Sequence, residues 1–120
     1  MTPLQVEKTI RHYVDGRFKN DNQTKSERSS EQRIKQICFG DLKLSIQASE
    51  YHYCSPQKDC EYYYEVEVGF PNFDFSEDFI RSYAEDIVTP QDTVYAYVPN
   101  SELSKEISEK LNKGDNKCTL

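Results

Sequence analysis

Apolar residues recur along this chain with two different periods, and the changes between them outline the elements. Val6, Ile10 and Tyr13 or Val14 repeat at helical spacing behind Thr2-Pro3, a hydroxyl cap followed by proline at the first helical position. The spacing predicts a helix over about residues 3–15, closed by Gly16. Residues 19–33 contain no aliphatic or aromatic side chain, so nothing there offsets the entropy of ordering, and a mobile loop is expected. A short strand is predicted over 34–39, and Gly40-Asp41 has turn chemistry. Leu42, Leu44, Ile46 and Ala48 then alternate with polar residues, and the alternation continues to about Tyr53. It resumes from Glu61 to Gly69 after the polar loop 55–59. Together these segments predict one long β-hairpin.

Beyond Pro71-Asn72, Ser76 followed by Glu77 and Asp78 reads as the start of a second helix, with Phe75 and Ile80 as a hydrophobic staple. Phe79, Ile80, Tyr83 and Ala84 form its apolar stripe. Thr89-Pro90-Gln91-Asp92 is a turn, and Thr93 to Val98 a strand. A last helix follows, capped by Asn100 or Ser101, with Leu103, Ile107 and Leu111 on one face and Gly114 as its stop. The order α-β-β-β-α-β-α predicts a single α+β domain over 1–120, with 114–120 as a loose tail. A mainly antiparallel sheet of about four strands is expected, with helices on one face.

The hairpin has a preferred register. Placing Cys54 opposite Cys60 puts Ile46 against Val68 and Ala48 against Val66, and a slip of one residue would mix apolar and polar faces. Continued to the tip, this register puts Tyr62 and Tyr64 on the core face. It puts Tyr51, Tyr53 and Tyr63 on the outer face beside Glu61, Glu65 and Glu67. The expected core is Ile46, Ala48, Tyr64, Val66 and Val68 against Phe79, Ile80, Leu103, Ile107 and Leu111.

Composition changes this picture in one respect. With 36% hydrophobic and 30% charged residues, the chain has material for one modest core and a large polar surface. Its net charge of -6 repels phosphate backbones, so direct nucleic-acid binding is disfavoured and a basic protein partner fits better. No apolar stretch suits a membrane span or a secretory signal, so a cytoplasmic protein with reduced thiols is expected.

Candidate chemistry is sparse. His52, Cys54 and Cys60 share a face in the predicted register, but His-x-Cys and Cys-x5-Cys do not match the close ligand pairs of structural zinc. His52 and Cys54 would lie about 7 Å apart along a strand, too far for a thiol–base pair. No glycine-rich phosphate loop occurs. The sequence therefore predicts no catalytic residue, no metal and no cofactor. The expected function is that of a small acidic interaction protein. It would be a phage or mobile-element inhibitor that holds a basic, nucleic-acid-handling host protein through Tyr51, Tyr53, Tyr63, Glu61, Glu65 and Glu67. The alternative is a monomeric or oligomeric protein that binds a nucleotide-like anion through Arg11, Arg17 and Arg81.

Overall fold

In the computed structural model, residues 1–15, 36–58 and 60–118 are described, with side chains as far as residue 113. The expected loop 19–33 and Arg17 lie outside them. The elements follow the predicted order: α1 (Pro3–Val14), β1 (Ile37–Phe39), β2 (Leu42–Gln47), β3 (Glu65–Gly69), α2 (Glu77–Tyr83), β4 (Val94–Pro99) and α3 (Asn100–Cys118).

Local signals account for the starts of the first two helices. Thr2 Oγ1 accepts the Gln5 N–H at 3.2 Å, and Gln5 Oε1 accepts the Thr2 N–H at 2.8 Å. This is a reciprocal capping box with Pro3 just inside the helix. Ser76 Oγ accepts from Phe79 N at the start of α2, and Glu77 and Asp78 occupy the first turn. Glu106 of α3 reaches back to accept from both the backbone N and the hydroxyl of Ser76, at 2.8 and 3.0 Å, and so ties the two helices together. At the other end of α3 the expectation fails. The helix does not stop at Gly114 but runs on to Cys118. A single interior glycine costs about 1 kcal/mol relative to alanine, which is a bias against helix rather than a stop.

The four strands form one antiparallel sheet in the order β1-β2-β3-β4. Phe39 pairs with Leu42 across a two-residue turn. Gly40 has φ +59 there, a left-handed backbone that a side chain rarely adopts. Between β2 and β3 the register is the expected one, with Ile46 opposite Val68 and Gln47 opposite Glu67. Between β3 and β4, Val66 pairs with Val98 and Val68 with Tyr95. Two β4 residues, Ala96 and Tyr97, thus stand opposite the single residue Glu67. This β-bulge lets Tyr95 and Val98, three positions apart, both face the core.

The core lies between the inner sheet face and the helices. Val6 and Ile10 of α1, Leu44 and Ile46 of β2, Val66 and Val68 of β3, Val98 of β4, and Leu103 and Ile107 of α3 are all wholly buried or nearly so. Ala48 and Phe79 belong to the same cluster, and Ile80 and Leu111 pack at its edge. Tyr64, expected in this core, is instead exposed.

Under α2 the cluster becomes aromatic. Phe75 stacks on Phe79 with ring centroids 4.3 Å apart. Phe75 also meets Phe73 and Tyr95 edge-on, at 4.9 and 5.2 Å. Tyr95 is fully buried, and its hydroxyl donates to Pro90 O at 2.6 Å. Burial, assisted by the negative charge of Asp74, pushes its phenol up to about 12 from the usual 10.0. The unfolded chain releases this proton near pH 10, whereas the folded chain retains it until about 12. Stability linked to the neutral phenol is therefore complete below pH 10 and falls as pH rises toward 12. That gap sets an upper bound of about 3 kcal/mol on the loss. We expect urea unfolding between pH 9 and 12 to show this decline in the wild type and a shallower one in Tyr95→Phe. Parallel curves would place the alkaline sensitivity elsewhere.

Candidate functional site

Beyond Gln47 the structure departs from the predicted hairpin. Pairing with β3 breaks off, and residues 48–54 leave the sheet. Ser55 then returns to pair with Glu65, its N–H donating to Glu65 O at 3.1 Å while Tyr64 N donates to Ser55 O at 2.8 Å. A seven-residue excursion therefore interrupts what the alternation presented as continuous strand. Ser49 organises it. The Ser49 Oγ accepts the Tyr51 N–H at 3.1 Å and lies 2.6 Å from His52 Nδ1. Ser49 O accepts from His52 N and from the Cys54 thiol.

The excursion is fastened to the bulge of β4. Tyr53 N donates to Glu67 Oε2 at 2.8 Å, and Tyr97 N donates to Tyr53 O at 3.0 Å. The bulge leaves Glu67 without a β4 partner and the Tyr97 N–H outside the ladder, and the Tyr53 backbone meets both. The two rings stand together, with centroids 6.0 Å apart and planes inclined at 43°. Tyr97 has φ 53, left-handed for a bulky side chain.

The structure divides the predicted partner-binding residues. Tyr51 is 84% exposed, and Tyr53 and Glu61 are also at the surface. Glu65 and Glu67 are half-buried and partly committed: Glu65 Oε1 accepts from Ser55 Oγ at 2.7 Å, and Glu67 accepts from Tyr53 N. Tyr63 is corrected outright. Expected on the outer face, it is wholly buried, while Tyr62 and Tyr64, expected inside, are exposed.

The reason is that residues 56–58 and 60–64 are not strand, so side chains there need not alternate. Tyr63 is instead a junction. Its N–H donates to Asp15 Oδ1 at 3.2 Å. Its carbonyl accepts from Asn100 Nδ2 at 2.8 Å and from Arg11 Nη1 at 3.4 Å. Its hydroxyl donates to Lys58 O at 2.8 Å and accepts from Cys60 N at 3.2 Å. One residue therefore joins the end of α1, the start of α3 and the loop before β3.

The other candidates separate as well. Arg11 pairs with Glu7 at 3.2 Å, and Arg81 pairs with Glu77, each one turn away on its own helix. Arg17, the third member of the predicted anion site, lies outside the described residues. Cys38, Cys54 and Cys60 are free thiols, with Cys54 buried, so the opposition of Cys54 and Cys60 is not a bridge. Among the described residues, no three His, Cys, Asp or Glu side chains gather closely enough to hold a metal ion. No described helix is long and apolar enough to cross a membrane.

Tyr97 is the residue that sequence reasoning missed. Simple alternation puts it on the same face as Tyr95; only the bulge turns it outward. The signal was the three-residue spacing of Tyr95 and Val98, which becomes informative once both are known to be buried.

What remains on the surface is a set of aromatic faces beside carboxylates. Tyr51, Tyr53, Tyr62 and Tyr64 are all exposed on the segment 48–64, with Tyr97 against Tyr53. Aromatic faces and carboxylates are both groups that attract cations. The chain matches no protein family, no curated protein and no solved structure.

Proposed function

We propose that this protein is an interaction module that binds a basic surface on a larger protein through its tyrosine-rich segment 48–64 and the adjoining bulge of β4. The observation that carries this reading is the exposure of Tyr51, at 84%, on a loop held by several internal hydrogen bonds. A large ring presented on an ordered loop loses little conformational freedom on binding. The net charge of -6 favours a cationic partner and repels nucleic acid itself. A partner whose basic surface ordinarily carries nucleic acid would have that surface covered, which is how an inhibitor of such a protein would act.

The test compares substitutions that leave the fold intact. Tyr51→Ala is expected to weaken partner binding by about 1–3 kcal/mol, the range of an aromatic anchor. Glu61→Lys is expected to slow association, with added salt slowing the wild type in the same direction. Neither should shift the melting temperature appreciably, because both side chains are exposed. Reversal of Glu65 or Glu67 is a poorer test, since each carboxylate also holds the loop. Gel-shift competition against a nucleic-acid-binding partner provides the assay. Undiminished competition by both variants would remove the reading.

A further inference from the structure

We propose that the pair Tyr53 and Tyr97, with Glu67 between strand and loop, is a site for an arginine side chain; this rests on the interaction reading above and names the chemistry it recognises. Three observations converge on it. First, the two rings are close but not closed on each other. A centroid separation of 6.0 Å at 43° leaves ring faces available, and both residues are exposed, Tyr53 at 45% and Tyr97 at 40%. A guanidinium is planar and weakly hydrated, so it stacks on such a face more readily than an ammonium does.

Second, a carboxylate is fixed against the backbone of one member of the pair. Glu67 Oε2 is engaged by the Tyr53 N–H, which fixes the position of the group. Among the described residues Oε1 takes no hydrogen bond, and it can accept from a guanidinium N–H. Third, the backbone is strained to present the ring. Tyr97 has φ 53 at a bulge, where glycine is the ordinary choice. A bulky residue kept in a costly conformation, with its ring turned to solvent, points to a role for that ring. The Tyr97 N–H bond to Tyr53 O, at 3.0 Å, holds the two residues in register. The site is preorganised by the sheet and does not need to form around its ligand.

The experiment titrates the full chain with two nine-residue peptides, all arginine and all lysine, at about 0.15 M salt. Tyr53→Leu keeps an apolar side chain but removes the aromatic face. Tyr97→Gly relieves the left-handed strain while deleting the ring, so circular dichroism and melting should show a folded protein. The wild type is expected to bind the arginine peptide at least about tenfold more tightly than the lysine peptide. Both variants should bind the two peptides equally, and Glu67→Gln should reduce the preference. Equal binding of both peptides by the wild type would overturn the arginine site while leaving the acidic-surface reading in place. Binding of neither peptide would overturn both. An arginine preference that survives in folded Tyr53→Leu and Tyr97→Gly would also overturn this site, because the recognition would then lie elsewhere.

Discussion

Truncating Tyr63 to alanine is expected to cost about 3–5 kcal/mol, a large fraction of the 5–15 kcal/mol typical of a domain this size. The ring is wholly buried, so its removal forfeits transfer energy and leaves a cavity. The same change releases two polar groups, Lys58 O and Cys60 N, which its hydroxyl now joins. Tyr63→Phe separates these contributions. It keeps the ring and should cost about 0.5–1.5 kcal/mol, the net worth of a hydrogen bond, because Lys58 is exposed and Cys60 only half-buried, so both freed groups lie near water. The backbone bonds to Asp15, Asn100 and Arg11 survive in both variants. Urea unfolding measures the two losses. A Tyr63→Ala protein within about 1 kcal/mol of wild type would return the ring to the surface and restore the continuous hairpin.

That the residue with one of the largest predicted effects was assigned to the wrong face shows where periodicity stops being informative. Alternation is evidence about a strand only while the chain is a strand. From Leu42 to Gln47 and from Glu65 to Gly69 the aliphatic residues can sit stably on one face only, and the register read from them is the observed one. From residue 48 to 64 the alternating large residues are mostly tyrosines, which satisfy a buried or an exposed position equally well. The pattern therefore could not signal that pairing breaks after Gln47 and resumes at Ser55. The ties that fix the excursion, from Tyr53 to Glu67 and from Tyr97 to Tyr53, join residues far apart in sequence and have no local signature.

Helix starts were legible for the opposite reason. Thr2 with Gln5 and Ser76 with Phe79 are contacts three residues apart, decided by the local sequence alone. Helix ends were less so. Gly114 resembles a stop, yet α3 continues past it. Of the candidate site, Tyr51, Tyr53 and the carboxylates could be named from their neighbours. Tyr97 could not, because its orientation follows from a bulge that the burial of Tyr95 and Val98 together requires.

Phe75→Ala is expected to destabilise the protein by about 3–5 kcal/mol, and to do so through α2. This helix has seven residues, too few to persist without tertiary packing. Its hold on the sheet is aromatic: Phe75 stacks on Phe79, and both rings lie against Tyr95. Removing Phe75 takes away the stack on Phe79 and the edge-on contacts with Phe73 and Tyr95. Stacked and edge-on aromatic pairs contribute about 0.5–1.5 kcal/mol each beyond area burial, so the loss should exceed that from Phe73→Ala, which gives up one described ring contact. Phe75→Leu keeps most of the volume and should cost about 1–2 kcal/mol. The Ser76 bonds to Glu106 would remain as polar ties, so amide exchange in residues 77–83 should accelerate before global unfolding. A double-mutant cycle with Phe79→Ala should give a coupling of about 0.5–3 kcal/mol, since the two rings share one contact surface. Additive losses would mean that α2 is held by something other than this stack. Arginine-peptide binding should be unchanged in folded Phe75→Leu, because the Tyr53–Tyr97 pair is held by β3, β4 and the excursion and not by α2.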